Sequence, residues 1–163
     1  MQKYFENFKK YAFRLELLQE YDVEEEKEAI EKFLKSAKIE PDKEWINIIK
    51  KARRRKAIMQ RVRVINLPLT DYLKFEIKAY QFNIASGENI YFIYQEEFDK
   101  LNSEINYDFW LFDDKIVLKM NYNNKGKFIG FVKIKSDMNR YINLKDKLLS
   151  MAKSIKELER WQK

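Results

Sequence analysis

The chain has 163 residues, 45% of them hydrophobic and 15% aromatic, with three Gly, two Pro and a formal net charge of +7. That length and apolar fraction suit one domain with a real core and exclude a disordered tail, while the basic balance admits an anionic partner. Cys and His are both absent, so thiol nucleophiles, disulfides, Cys/His zinc sites and histidine acid–base catalysis are excluded; an enzyme would need carboxylates, lysine, tyrosine or an oxygen-bound metal.

The first half reads as helices. Tyr4, Phe8, Tyr11, Leu15 and Leu18 follow a 4-3-4-3 rhythm that predicts one helical face. Asp22 and Glu25 have capping-box spacing for a second helix, with Glu24, Glu25, Glu26 and Glu28 in its first turns and Ala29, Ile30, Phe33, Leu34 and Ala37 as its buried side. Pro41 opens a third helix that packs Trp45, Ile48, Ile49 and Ala52 inward.

After residue 60 the period changes. Arg61-Val62-Arg63-Val64-Ile65 alternates like a half-exposed strand, with both arginines on one face. Thr70 or Asp71 caps a helix holding Tyr72, Leu73, Phe75, Ile77 and Tyr80. Strands follow at Ile90–Tyr94, Phe109–Phe112 and Ile116–Tyr122; Asn123-Asn124-Lys125-Gly126 forms a hairpin loop into Phe128–Ile134, with Gly130 a bulge point. From Asp137 a long helix sets Tyr141, Leu144, Leu148, Met151, Ile155 and Leu158 at heptad spacing, as core or as a partner-binding seam. The expected architecture is α+β, or mixed α/β, in a single domain 1–163. It has a helical part at 1–58, a strand-rich part of roughly five strands at 59–135 and a C-terminal helix at 136–163.

Charge singles out one segment. Five of the eight arginines (Arg53, Arg54, Arg55, Arg61 and Arg63) fall within eleven residues, in a Trp45–Thr70 window with eight cations and no carboxylate. Arginine's planar fork suits phosphate and carboxylate, so Arg53, Arg54, Arg55, Lys56, Arg61 and Arg63 are the candidate nucleic-acid contacts. A solvated helix end would give the same run, as would ion pairs with residues 20–44, which carry ten acids against five lysines. Asp108, Asp113 and Asp114 are candidate magnesium ligands, although adjacent acids between strands also serve as turn residues. No phosphate-binding glycine pattern occurs, so no cofactor is expected.

Arg61-Val62-Arg63-Val64, Pro68-Leu69-Thr70-Asp71-Tyr72-Leu73-Lys74-Phe75-Glu76, Gly87-Glu88 and Asp108-Phe109-Trp110-Leu111-Phe112-Asp113-Asp114 together resemble a domain-of-unknown-function family, bacterial and mainly actinobacterial. Its pattern runs RVRV, PLSDYxRFE, GE and DFWLFDD; Ala12-Phe13-Arg14-Leu15-Glu16 and Tyr21 resemble its N-terminal part. Lys74 stands where the pattern has arginine, and Lys50–Lys56 is more basic than its usual stretch. The resemblance implies a regulatory or partner-binding role, since members are often encoded beside helix-turn-helix regulators. The strand order is also similar to half of a phospholipase-D-like domain, degenerate here because that site needs histidine.

The expected function is therefore a non-enzymatic regulatory module. It would engage nucleic acid, or a regulator bound to it, through the arginine-rich surface. The alternatives are a protein partner of a helix-turn-helix regulator without nucleic-acid contact, and a magnesium-dependent hydrolase. No apolar run reaches the ~18 residues of a membrane span and the start lacks a signal-peptide core, so the cytoplasm is the expected compartment, with oligomeric state open.

Overall fold

A computed structural model describes residues 1–160. The elements are α1 (Gln2–Asn7), β1 (Tyr11–Glu16), a 3-10 turn (Glu24–Glu26), α2 (Lys27–Ser36), α3 (Lys43–Arg54), β2 (Ile58–Ile65), α4 (Asp71–Ser86), β3 (Glu88–Tyr94), α5 (Gln95–Asp99), β4 (Phe109–Phe112), β5 (Ile116–Tyr122), β6 (Phe128–Ile134), α6 (Met138–Met151), β7 (Lys153–Ser154) and α7 (Ile155–Arg160). The expected α+β class holds, with a mixed sheet of seven strands rather than five in the order β6-β5-β4-β1-β2-β3-β7. Strands β1, β2 and β3 are parallel; β4 pairs antiparallel with the other side of β1, and β4, β5 and β6 form a meander.

Strand alternation sends residues to two differently composed faces. On one face Phe13, Leu15, Val62, Val64, Phe109 and Leu111 meet Phe98 of α5 and Tyr141, Leu144 and Leu148 of α6 in a dry core. On the other, Ala12, Met59, Trp110 and Phe112 pack under Phe5 of α1 and Ile49 of α3, and Ile65, Ile90 and Phe92 pack under Leu73 and Ile77 of α4. The space between these last two clusters is filled by charged side chains.

Several helical expectations are corrected. Tyr11 and Leu15 belong to a strand, because Phe8 ends α1 in extended backbone and residues 12–16 are buried on both faces of the sheet. The helical N-terminal part thus contains a central strand. Helix α2 buries none of its residues, Leu34 is 53% exposed, and no side chain caps its start. The C-terminal helix ends at Met151, where Ala152 turns extended; α7 then carries Ile155 and Leu158 into a different cluster from Tyr141, Leu144 and Leu148. Apart from exposed Met151, the heptad is therefore core from two helices, not one free seam, and residues 161–163 of that expected helix lie outside the described residues.

The β5–β6 hairpin forms as its turn residues predict: the Asn123 side chain accepts from the amides of Lys125 and Lys127, and the ladder shifts register beside Gly130. Gly126 has φ +81, accepts at its carbonyl from the Asp22 amide at 3.1 Å, and would place a Cβ 2.9 Å from the Glu20 carbonyl. That contact seats the hairpin on the connection leaving β1. Gly126→Ala is expected to cost about 1–3 kcal/mol through the left-handed strain and the backbone clash, read as a lowered urea midpoint with unchanged slope.

Candidate functional site

Arg14 and Glu16 on β1 lie in register with Arg61 and Arg63 on β2, so all four project from one face of the sheet. They are buried, between 1% and 7% exposed. The half-exposed reading of the Arg61–Ile65 strand is thereby corrected. The alternation is right, but α3 and α4 cover the charged face.

Glu16 is the hub. It accepts from Arg63 Nη1 at 3.0 Å, from Arg61 Nη1 and Arg14 Nε at 3.3 Å, and from the Tyr80 hydroxyl at 3.4 Å. Arg61 Nε donates to Glu88 at 2.7 Å, and Glu88 also accepts from Trp45 Nε1 at 3.0 Å. Asp108, just before β4, accepts from Arg14 Nη2 at 3.3 Å, from the Leu17 amide at 2.9 Å and from the Tyr21 hydroxyl. Aromatic rings cover the guanidinium faces: Trp45 and Tyr80 on Arg61, Tyr21 and Tyr72 on Arg63, and Trp110 on Arg14, at 4.9–5.9 Å from ring centroids. Arg14 Nη1 and Arg63 Nε are the two buried side-chain polar atoms left without a protein acceptor among the described residues.

The electrostatics follow from this geometry. Burial opposes ionisation of Glu16, but Arg61, Arg63 and Arg14 together outweigh it and hold the carboxyl well below its usual range. Burial raises the Tyr80 and Tyr21 hydroxyls well above theirs, so both remain donors. At the rim, burial and then the charge of Glu76 push Glu26 up to about 7, although Tyr72 donates to it. Three arginines face Glu16, Glu88 and Asp108, a balanced set that orients and clamps without attracting further charge. The segments that carried the family resemblance converge here, supplying Arg61, Arg63, Tyr72, Glu76, Glu88 and Asp108.

The candidate metal ligands are not brought together. Asp108 and the Asp113-Asp114 pair lie at opposite ends of β4. Asp113 accepts from the amides of Lys9, Lys10 and Tyr11 at 2.7–3.0 Å, and Asp114 accepts from the Tyr11 hydroxyl. Among the described residues no acidic cluster could hold a metal ion.

The remaining predicted contacts lie elsewhere, at the end of the sheet where β1, β2 and β3 begin. Arg55 is spent on structure: it donates to the Phe8 and Phe5 carbonyls at 2.9 and 2.6 Å and covers the Phe8 ring. Arg53, Arg54 and Lys56 are exposed, with Lys50 and Lys51 one turn back on α3. The fold adds cations that the sequence window missed. Ile58 bonds to Lys10 and Asp113 bonds to the Lys9 and Lys10 amides, bringing exposed Lys9, Lys10 and Lys115 to the same end. None of these eight residues is in an ion pair among the described residues, and the expected pairing of the basic run with the acidic second helix is absent there. Sequence could have suggested Lys9-Lys10 only by its doublet; Lys115 carries no signal.

Replacing the hub and the rim glutamates should have opposite effects. Glu16→Gln leaves three buried arginines short of their counter-charge and is expected to cost about 3–5 kcal/mol in urea unfolding at pH 7. Because its folded carboxyl is depressed, Glu16 stabilises above about pH 4.5 and loses that contribution as pH falls. Glu26 is raised, so its ionisation weakens the fold as pH climbs through about 7. Glu26→Gln should therefore gain on the order of 1 kcal/mol at pH 8 and nothing at pH 4.5, measured by urea titration at the two pH values.

A family model described as a domain of unknown function (DUF6879) matches residues 1–159. No curated protein and no solved structure matches the chain.

Proposed function

We propose that this chain, which belongs to the DUF6879 family, is a non-enzymatic module that binds nucleic acid through the basic end of its sheet. One observation carries the reading: three segments distant in sequence bring eight exposed cations, unpaired among the described residues, to one end, whereas the buried arginines are matched by carboxylates. An unpaired cation keeps its full capacity to replace a condensed counterion on a phosphate backbone. Arg53 and Arg54 supply the forked donors, and the lysines supply point charge around them. Arg61 and Arg63 leave the expected contact set and instead hold the sheet that presents it.

A regulatory setting completes the proposal. If the chain works beside a helix-turn-helix regulator, as the resemblance implies, the nucleic acid is duplex DNA and the regulator supplies the sequence specificity. Phosphate contacts from this end then add affinity without reading bases. No helix among the described residues is long and apolar enough to cross a membrane.

Fluorescence anisotropy with a labelled duplex, repeated across salt concentrations, tests the reading. With about five phosphate contacts, log K should fall against log salt with a slope near 4–5. Arg53→Ala combined with Arg54→Ala should lower that slope by about 2 and weaken binding at least tenfold, with the cooperative thermal transition retained. A slope near zero, or a double variant that binds as the parent does, would sink the proposal.

A further inference from the structure

The two edges of the sheet are finished differently. Beyond β3 the edge is closed by the two-residue β7, with α7 following directly. At the opposite edge β6 runs for seven residues and has β5 as its single neighbour in the sheet. Three of its apolar side chains face solvent: Phe128 is 42%, Ile129 63% and Val132 51% exposed.

The backbone of this edge is also open. The Met120 amide donates to the Asp108 carbonyl, so Met120 directs its hydrogen-bonding groups toward β4. Antiparallel alternation then turns Lys119 and Asn121 toward β6, where they meet Val132 and Gly130. Phe131 and Lys133, the intervening residues, present their amides and carbonyls outward.

Charge selects what can pair there. Residues 115–136 carry six lysines and no carboxylate, and Lys125, Lys127, Lys133 and Lys135 lie on or beside β6. A second copy of this edge would set lysines against lysines, the arrangement by which edge strands avoid self-association. A strand that alternates carboxylates with apolar residues would meet Lys133 and Lys135 with opposite charge on one face and cover Val132 on the other.

We infer that β6 is a docking edge for an extended acidic, apolar segment of another protein, which joins the sheet as an eighth strand beside Phe131 and Lys133. Main-chain hydrogen bonds supply affinity, and the lysines supply selection. This inference is argued from the hairpin alone and does not rest on nucleic-acid binding at the sheet end.

Labelled synthetic peptides test it on the full chain. One peptide alternates glutamate with valine and isoleucine; its control carries lysine in place of glutamate. The acidic peptide should bind at least tenfold more tightly than the control and slow hydrogen exchange at the Phe131 and Lys133 amides. Lys133→Pro removes an outward N–H that an edge strand can spare, and should weaken binding at least tenfold relative to Lys133→Ala while the two variants bind the duplex equally. Equal binding of both peptides, protection at other amides, indistinguishable Pro and Ala variants, or self-association through β6 would each overturn the inference.

Discussion

Glu16 is one carboxylate shared by three guanidiniums, and the arrangement of the sheet depends on it. Arg14 comes from its own strand, and Arg61 and Arg63 from the neighbouring one, so the contact exists only in one pairing of β1 with β2. A slip of one residue would move both β2 arginines into the apolar core beneath α6 and leave Glu16 buried with Arg14 alone to pair it. Each buried ion costs several kcal/mol to desolvate, and its partners recover that cost only in good geometry. The network is thus weak evidence of extra stability but a strong constraint on register. The aromatic rings over the guanidinium faces add to this by fixing α3 and α4, through Trp45, Tyr72 and Tyr80, onto the same charges.

Most elements after residue 40 could be read from pattern because their apolar face and their buried face coincide. Helix α4 carries the Thr70 cap expected of it, whereas α3 starts at Lys43 under an Asp42 cap, so Pro41 precedes that helix instead of opening it. Strand β1 could not be read the same way. Its sequence Ala12-Phe13-Arg14-Leu15-Glu16 alternates, but it is six residues long and follows a short helix whose Tyr4 and Phe8 extend a helical rhythm across the junction. The tertiary pairing with β2 and β4, not local propensity, decides that it is a strand.

Burial of the charged face was the part invisible to pattern. Alternation places Arg61 and Arg63 on one side of a strand and is silent on whether that side meets water. Charged side chains are seldom buried unless paired, and the pairing residue Glu16 stands 45 and 47 positions earlier. Among the charged motifs, those that looked most like a functional surface therefore build the interior. The run Lys50–Lys56 has the pattern of an ordinary helix end, and its cations are exposed apart from half-buried Arg55; only the fold could bring Lys9, Lys10 and Lys115 beside it.

The division of charge between interior and surface has a final consequence. Arg14, Arg61 and Arg63 inside are balanced by Glu16, Glu88 and Asp108, so the excess positive charge of the described residues belongs to their outer surface. It is unevenly spread there, concentrating at the sheet end and along the β5–β6 hairpin. These two regions meet at one corner: Lys115 precedes β5, and Val117 pairs with Ile134, which places Lys135 at the same end as the basic face. Anionic groups at the sheet end and on the β6 edge would share that corner and repel one another across it, within about a Debye length at physiological salt. A balanced interior thus does more than hold the register. It leaves the excess cations on adjoining surfaces, where occupancy of one alters the electrostatics of the other.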